Sequence, residues 1–358
     1  MADVSAFTPK AWFSNPEPLV GRTENGSPRL PEEIAGVLPE FFRKTGCEDW
    51  VPMRKPLQRR DCRIHFLRSA SHQPRGVVLK IYRQDAVGRN LAKNLHRKSC
   101  KYHDASTPEC TIPEPLLFVQ AENAIVMAHV DAPIAGSLLM KGFHSRERRE
   151  AIIRKAARWL GWFHQHSDVT PEPYVAAAYT GKLEKTLEKI ESLTPGAMER
   201  DVFLKRCVDA AARVAAGLDG KEIPHATAHG DFTPFNIFID GGQVIGFDYR
   251  ANRRMPVFHD INRFMVYLDV YRITPARVED LRKYGCRRDD FETFMEIYGT
   301  RADEELWLRL QFLEMTRRIT SLKLPRSKVR NRLFRFIEMA YLRRNARHVL
   351  ESLEGRGF

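Results

Sequence analysis

The sequence predicts an α+β protein of two parts, a small antiparallel-sheet lobe followed by a larger, mostly helical one. Three observations carry this. Cys62 to Ser69 alternates as a strand, Ala70 to Gly76 supplies a turn, and Val77 to Tyr82 is a second β-rich run, so a hairpin follows. From Glu150 the pattern changes: Ile152, Ile153, Ala156, Trp159, Leu160 and Phe163 recur at three- and four-residue spacing, the period of a helix with one buried face. The chain, at 358 residues, has length enough for both cores without a large disordered share.

Taken in order, residues 1–44 read as an N-terminal extension, proline-bearing and without chemistry of its own. Residues 45–127 are the small lobe. Trp50 to Leu57 offers its first strand, with Gln58-Arg-Arg-Asp61 as the connecting loop. After the hairpin, Ala86 to Tyr102 has helical propensity and carries Arg89, Lys93, Arg97, Lys98 and Lys101 with no carboxylate. Ala124 to Asp131 is an apolar strand running into a turn, and Ala135 to Met140 starts a helix. Residues 128–358 form a hinge and helical lobe: the Glu150 helix ends at His164-Gln-His166, and Tyr179 to Leu218 holds one or two helices broken at Thr194-Pro-Gly196. Two residues apart on a helix, His164 and His166 face different sides and do not share a metal.

Composition excludes several classes of protein. Apolar residues at 43% with a mean hydropathy of −0.42 describe a soluble chain. No stretch reaches the ~18 apolar residues of a membrane span, and Met1 to Thr8 lacks a basic leader before an apolar core, so the expected location is the cytoplasm. Six dispersed cysteines without a Cys-x-x-Cys pair suggest neither zinc nor a disulfide framework. The net charge of +13 is uneven: Thr316 to Phe358 holds twelve Arg or Lys against three Glu. Within it Leu333, Phe336, Ile337, Ala340, Tyr341 and Arg344 follow helical spacing, predicting a basic amphipathic C-terminal helix.

The most specific signal is His229-Gly-Asp231-Phe-Thr-Pro-Phe-Asn236, followed twelve residues later by Asp248 at the end of the apolar run Val244-Ile-Gly-Phe247. An aspartate five residues before an asparagine, with a second aspartate on the next strand turn, is the equipment of a phosphoryl-transfer site. The chemistry explains the pattern. Phosphoryl transfer asks the protein for little covalent help, but Mg²⁺ must be held across the phosphates and an acceptor hydroxyl aimed in line.

This segment resembles the aminoglycoside phosphotransferase and choline kinase-like family, small-molecule kinases with a protein-kinase-like fold. The resemblance implies that Asp231 is the catalytic base for the acceptor hydroxyl, that Asn236 and Asp248 bind Mg²⁺, and that ATP is the donor. Asp248 stands in Phe-Asp-Tyr rather than Asp-Phe-Gly, as in that family and unlike a protein kinase with a hinged activation segment. His229 reads as a structural residue of the loop, and Asp260, at the start of the next helix, as an N-cap that braces it. Lys80 corresponds to the family's phosphate-binding lysine; a lysine amid apolar residues is costly unless its ammonium meets an anion. The alternative, an edge-strand lysine in solvent, stays open. Met127, Ala128, His129 and Val130 correspond to the hinge whose backbone groups meet the adenine edge.

Two features depart from the wider kinase pattern. The loop at Gln58 to Asp61 has no glycine, and the helix after Lys80 lacks the carboxylate expected to pair with it, leaving Asp85, Asp104, Glu109 and Glu114 as flanking acids. On charge, Arg250, Arg253 and Arg254 after Asp248 favour a neutral or anionic acceptor, a small molecule, sugar or glycan precursor, over a polycation. The basic C-terminal helix is either packed with a solvated cationic face or makes peripheral contact with an anionic surface. Alternative readings are an atypical protein kinase, or a catalytically silent nucleotide- or RNA-binding module.

Overall fold

The computed structural model describes residues 34–59, 61–141, 145–250, 253–270, 274–300, 303–324 and 332–357. The chain divides into two compact units, Met1–Ser137 with Ile237–Phe247, and Leu138–Asn236 with Asp248–Phe358. Residues 1–33 of the N-terminal extension lie outside the described residues.

In the first unit the predicted hairpin is the middle of an antiparallel sheet. Cys62–Arg68 pairs with Gly76–Tyr82, which pairs with Ala124–Ala128, which pairs with Pro115–Val119. Trp50 to Leu57 does not form one strand. It forms two short ones, Val51–Pro52 and Leu57–Gln58, both on Cys62–Arg68. Pro52 and Pro56 explain the interruption, since neither has an N–H to donate to a ladder. One face of the sheet buries Val77, Leu79, Leu67 and Val126 against Ile34, Val37, Phe41 and Trp50, so the helix Leu38–Thr45 closes this core. On the other face Tyr82 and Ile125 pack with Ala92 of the helix Ala86–Asp104, whose N-cap is Asp85. A second small sheet pairs the hairpin Ile237–Asp240 and Gln243–Gly246 with Cys110–Thr111, the last pairing being parallel.

The second unit is mostly helical. Arg146–Gln165, Ala176–Leu193 and Val202–Ala216 precede the motif; Phe258–Val270, Arg288–Tyr298, Glu304–Lys323 and Arg332–Gly355 follow it. The predicted break after Leu193 is real: Gly196 has φ +71°, and the Glu191 carboxylate accepts the amides of Gly196 and Met198 at 2.7 and 2.8 Å. A three-stranded sheet of Thr170–Pro173, Glu222–Thr227 and Arg254–Pro256 supports the loop that follows Thr227. The first of these strands, with prolines at 171 and 173, sits at the sheet edge and carries no β signal in sequence. The core includes Trp159, Phe163, Phe232, Phe264, Phe294 and Trp307. All six cysteines are free.

The C-terminal helix forms as predicted, but a different face is buried. Leu342, Ala346, Val349, Leu350 and Leu353 are inside, while Phe336 is 72% exposed and Ile337 39%. The choice is made by polar partners: Glu338 meets Arg318 at 2.6 Å, and Asn345 donates to Asp269 at 2.5 Å, both from buried positions. Most described cations of the C-terminal region have partners within the chain. Arg317 pairs with Glu314, Arg343 with Asp201, Arg356 with Glu304, and Arg344 donates to the Ala276 carbonyl. Arg326, Lys328 and Arg330 lie outside the described residues. Among the described residues no helix is long and apolar enough to cross a membrane.

Candidate active site

The strand Glu222–Thr227 delivers the chain to a loop whose inner side is wholly buried. The His229 ring sits among Trp159, Phe163, Phe232 and Tyr249, with ring centroids 5.6–6.2 Å away. Its Nδ1 accepts the Asp231 amide at 3.3 Å. Burial lowers the His229 pKa despite the nearby charges of Asp260, Asp231 and Asp248, so the ring is neutral. Its Nε2 has no hydrogen-bond partner among the described residues and is enclosed with these aromatic rings. A neutral ring that accepts from its own loop and packs in an aromatic cage holds shape.

Asp260 ties the loop down. Its two carboxylate oxygens accept the amides of His229 and Gly230 at 2.7 and 2.9 Å, and His164 Nε2 lies 3.2 Å from Oδ2. Burial alone would raise its pKa, but the His164 hydrogen bond and neighbouring histidines outweigh that and hold the group ionised. It braces the loop as expected, yet it is not an N-cap: it lies inside the helix Phe258–Val270. His164, predicted as a helix-end residue, is buried, and its Nδ1 is 2.7 Å from the Tyr298 hydroxyl. Gly230 has φ +81°, a left-handed turn that glycine adopts without strain, and a Cβ there would make only ordinary contact with the Arg250 side chain.

On the outer side of this loop the polar groups point differently. The Asn236 side-chain amide donates to the Asp231 carbonyl at 2.7 Å, joining the two ends of the loop. With its nitrogen committed, the Asn236 Oδ1 is the atom left for another partner. The Asp231 carboxylate is partly exposed and ion-paired with Arg263, which also reaches the Gly230 carbonyl at 3.4 Å. Arg263 lies three residues after Asp260 on the same helix, spacing that puts both toward one side; that is the signal by which the sequence could have shown it.

Asp248 has φ +59°, a left-handed conformation uncommon for a residue with a side chain, and its carboxylate is exposed. The hairpin register pairs Ile237 with Gly246, so the chain enters and leaves that hairpin at one end, and Asn236 and Asp248 flank it there. Among the described residues no three His, Cys, Asp or Glu side chains gather to hold a metal. A site made by Asn236 and Asp248 would be a two-ligand one, which suits Mg²⁺, since that ion keeps several waters and takes further oxygens from phosphates.

In the other unit Lys80 is 8% exposed, on the central strand of its sheet between Ile64 and Ile125, and on the same face as Tyr82. Met127 to Val130 are half-buried. Two of their amides are already engaged: Ala128 donates to the Glu114 carbonyl at 2.8 Å and His129 to the Gly76 carbonyl at 2.9 Å. Arg254, grouped by sequence with Arg250 and Arg253, is structural. It meets Glu172 at 2.5 Å and donates to the carbonyls of Ser167, Asp168 and His225, stitching the three-stranded sheet.

A buried loop presenting Asp231 and Asn236, followed by a hairpin and Asp248, defines a phosphotransferase of protein-kinase-like fold. A family model described as the phosphotransferase enzyme family matches residues 66–249, just over half of the chain, and the chain belongs to that family. None of the curated proteins matches it in sequence. Among solved structures it is similar to a choline kinase from Cryptosporidium parvum Iowa II, at 10% identity and a TM-score of 0.56, over 90% of this chain and 96% of that one. A choline/ethanolamine kinase family protein from Mesorhizobium loti aligns at 13% identity and 0.54, over 84% and 92%. An amicoumacin kinase in complex with AMP-PNP and Ca²⁺ aligns at 14% and 0.52, over 83% and 87%. Likeness at these identities is likeness of fold, and the α+β kinase-like class is the one the sequence predicts.

Proposed function

We propose that the protein is an ATP- and Mg²⁺-dependent kinase that phosphorylates a hydroxyl of a small molecule, sugar or glycan precursor. The observation that carries this is the hydrogen bond from the Asn236 amide to the Asp231 carbonyl. It commits the asparagine nitrogen, leaves its oxygen as the atom able to take a metal, and fixes the backbone of Asp231 on the same loop. Asp231 accepts the proton of the acceptor hydroxyl as that oxygen attacks the γ-phosphorus and the bond to the β-phosphate oxygen breaks, ADP leaving. Asn236 and Asp248 would hold Mg²⁺, which would supply charge neutralisation for the transferring phosphoryl group. Lys80 binds the α- and β-phosphates, its buried position giving an ammonium that favours an anion over water.

Among the four hinge residues, Val130 supplies the amide for adenine. The amides of Ala128 and His129 are committed within the sheet, whereas that of Val130 has no partner among the described residues. The amicoumacin kinase bound to AMP-PNP and Ca²⁺ is a precedent for a nucleotide with a divalent ion on this fold.

The test is Asp248→Ala, followed by calorimetric MgATP binding and by slow ATP hydrolysis, which needs no identified acceptor. Loss of an oxygen ligand should abolish turnover and the Mg²⁺-dependent part of ATP affinity. Unchanged turnover ends the kinase assignment.

A further inference from the structure

We propose that Arg263 is a positioning residue for the base assigned above: its guanidinium holds Asp231 Oδ1 and leaves Oδ2 as the oxygen that takes the proton of the acceptor hydroxyl. This rests on the kinase reading and adds a residue to it. Asp231 is held at every polar atom but one. Its amide donates to His229 Nδ1 at 3.3 Å, its carbonyl accepts the Asn236 side-chain amide at 2.7 Å, and its Oδ1 is ion-paired with Arg263 Nη2. Among the described residues Oδ2 has no partner. The two backbone bonds fix where the side chain starts but not where it points, because an aspartate still turns about χ1 and χ2. The ion pair is the contact that aims the carboxylate.

The place of Arg263 in the fold suits this role. It lies on the helix Phe258–Val270, one turn after Asp260, and the two residues grip the loop by complementary bonds. Asp260 accepts the amides of His229 and Gly230 at 2.7 and 2.9 Å, whereas Arg263 donates to the Gly230 carbonyl at 3.4 Å through Nη1 and to the Asp231 carboxylate through Nη2. Two acceptors on one loop match the rigid fork of a guanidinium, which the point charge of an ammonium does not reproduce. The Arg263 side chain is 12% exposed and that of Asp231 33%. The cation is therefore set within the helical unit while the anion keeps an open side, so the sheltered group orients the reacting one. Its positive charge also offsets the repulsion that a base carboxylate would meet from the triphosphate of ATP.

Single-turnover hydrolysis of labelled ATP and calorimetric MgATP binding, both on the full chain, test this with Arg263→Gln and Arg263→Lys, each made in the parent and in an Asp231→Asn background. Arg263→Gln should slow turnover about 10–100-fold with the MgATP dissociation constant unchanged, since the arginine aims the base rather than the nucleotide. Arg263→Lys keeps the charge and one of the two bonds, and should lose less. In the Asp231→Asn background Arg263→Gln should alter turnover by less than about twofold, because no base carboxylate is left to aim. An arginine that only supports the fold would lower turnover and melting temperature alike in both backgrounds. An equal fall in both backgrounds, weaker MgATP binding by Arg263→Gln, or faster turnover once the ion pair is removed overturns the assignment and leaves the kinase reading intact. If Arg263→Gln does not fold, Arg263→Lys compared in the two backgrounds decides by the same criterion. Absence of Mg²⁺-dependent hydrolysis in the wild-type chain counts against the kinase reading itself, and the role of Arg263 falls with it.

Discussion

The loop around Asp231 and the C-terminal helix are both rich in charge, and they dispose of it in opposite ways. In the C-terminal region arginines turn inward to fixed partners: Arg318 to Glu338, Arg343 to Asp201, Arg317 to Glu314. Around the loop, Asp260 is buried and Arg263, which pairs with Asp231, is mostly so, while Asp231, Asp248, Arg250 and Arg253 are at least partly exposed. A buried ion pair adds little net stability but is costly to break, so it fixes geometry. An exposed, loosely compensated charge contributes little to folding and remains available to a ligand. A count of Arg and Lys therefore overstates the cationic surface of the C-terminal helix, whose described arginines mostly have internal partners, and this favours the packed reading of that helix.

The sharpest way to break this contrast is Asp231→Asn, which keeps size and hydrogen bonding but removes the proposed base. ATP turnover should fall by about 10²–10⁴-fold, with MgATP affinity and melting temperature close to the parent. Loss of MgATP binding as complete as in Asp248→Ala would make Asp231 a metal ligand or a brace instead.

Asp260→Ala should behave in the reverse sense, as the one loop-contacting carboxylate that is fully inside. It strands the amides of His229 and Gly230, and a cost of about 3–5 kcal/mol of stability is expected from chemical denaturation. A variant as stable as the parent would remove Asp260 from its bracing role.

Arg318→Ala leaves Glu338 buried without its counter-ion and should cost about 3 kcal/mol while hardly altering MgATP affinity. Equal stability with weakened binding of anionic vesicles would revive the view of this helix as a docking surface.

The mildest effect is on pH. Burial lowers the His259 pKa to about 4 against an ordinary 6.5, although Glu314, 3.9 Å away, favours its charged form. A group depressed on folding contributes stability that is complete above 6.5 and declines as pH falls through 6.5 toward 4. Folding should weaken by about 1–2 kcal/mol between pH 7 and pH 5, and neutral, buried His229 acts in the same direction. A melting temperature flat over that interval would mean that His259 is solvated when folded.

Legibility followed the range of the interactions. The hairpin around Lys80, the helix from Glu150 and the Asp231–Asn236 loop are set by spacing and turn chemistry within a few residues, so they are readable along the chain. Where proline broke a ladder at Pro52 and Pro56, local chemistry was present in the sequence but outweighed by the apolar run around it.

Which arginine is spent and which is free was decided only by tertiary structure. Arg254 finds Glu172 from 82 positions away and Arg343 finds Asp201 from 142, while Arg250, four residues from Arg254, finds no carboxylate among the described residues. The buried face of the C-terminal helix was settled similarly, by Asp269 and Arg318 claiming Asn345 and Glu338. The sequence by itself determined the fold class and the loop from His229 to Asn236, because local backbone geometry and hydrophobic period act between near neighbours. The partners of its charges depended on helices brought together by packing, since an ion pair needs its two ends within about 4 Å and nothing in one segment records which distant segment will arrive.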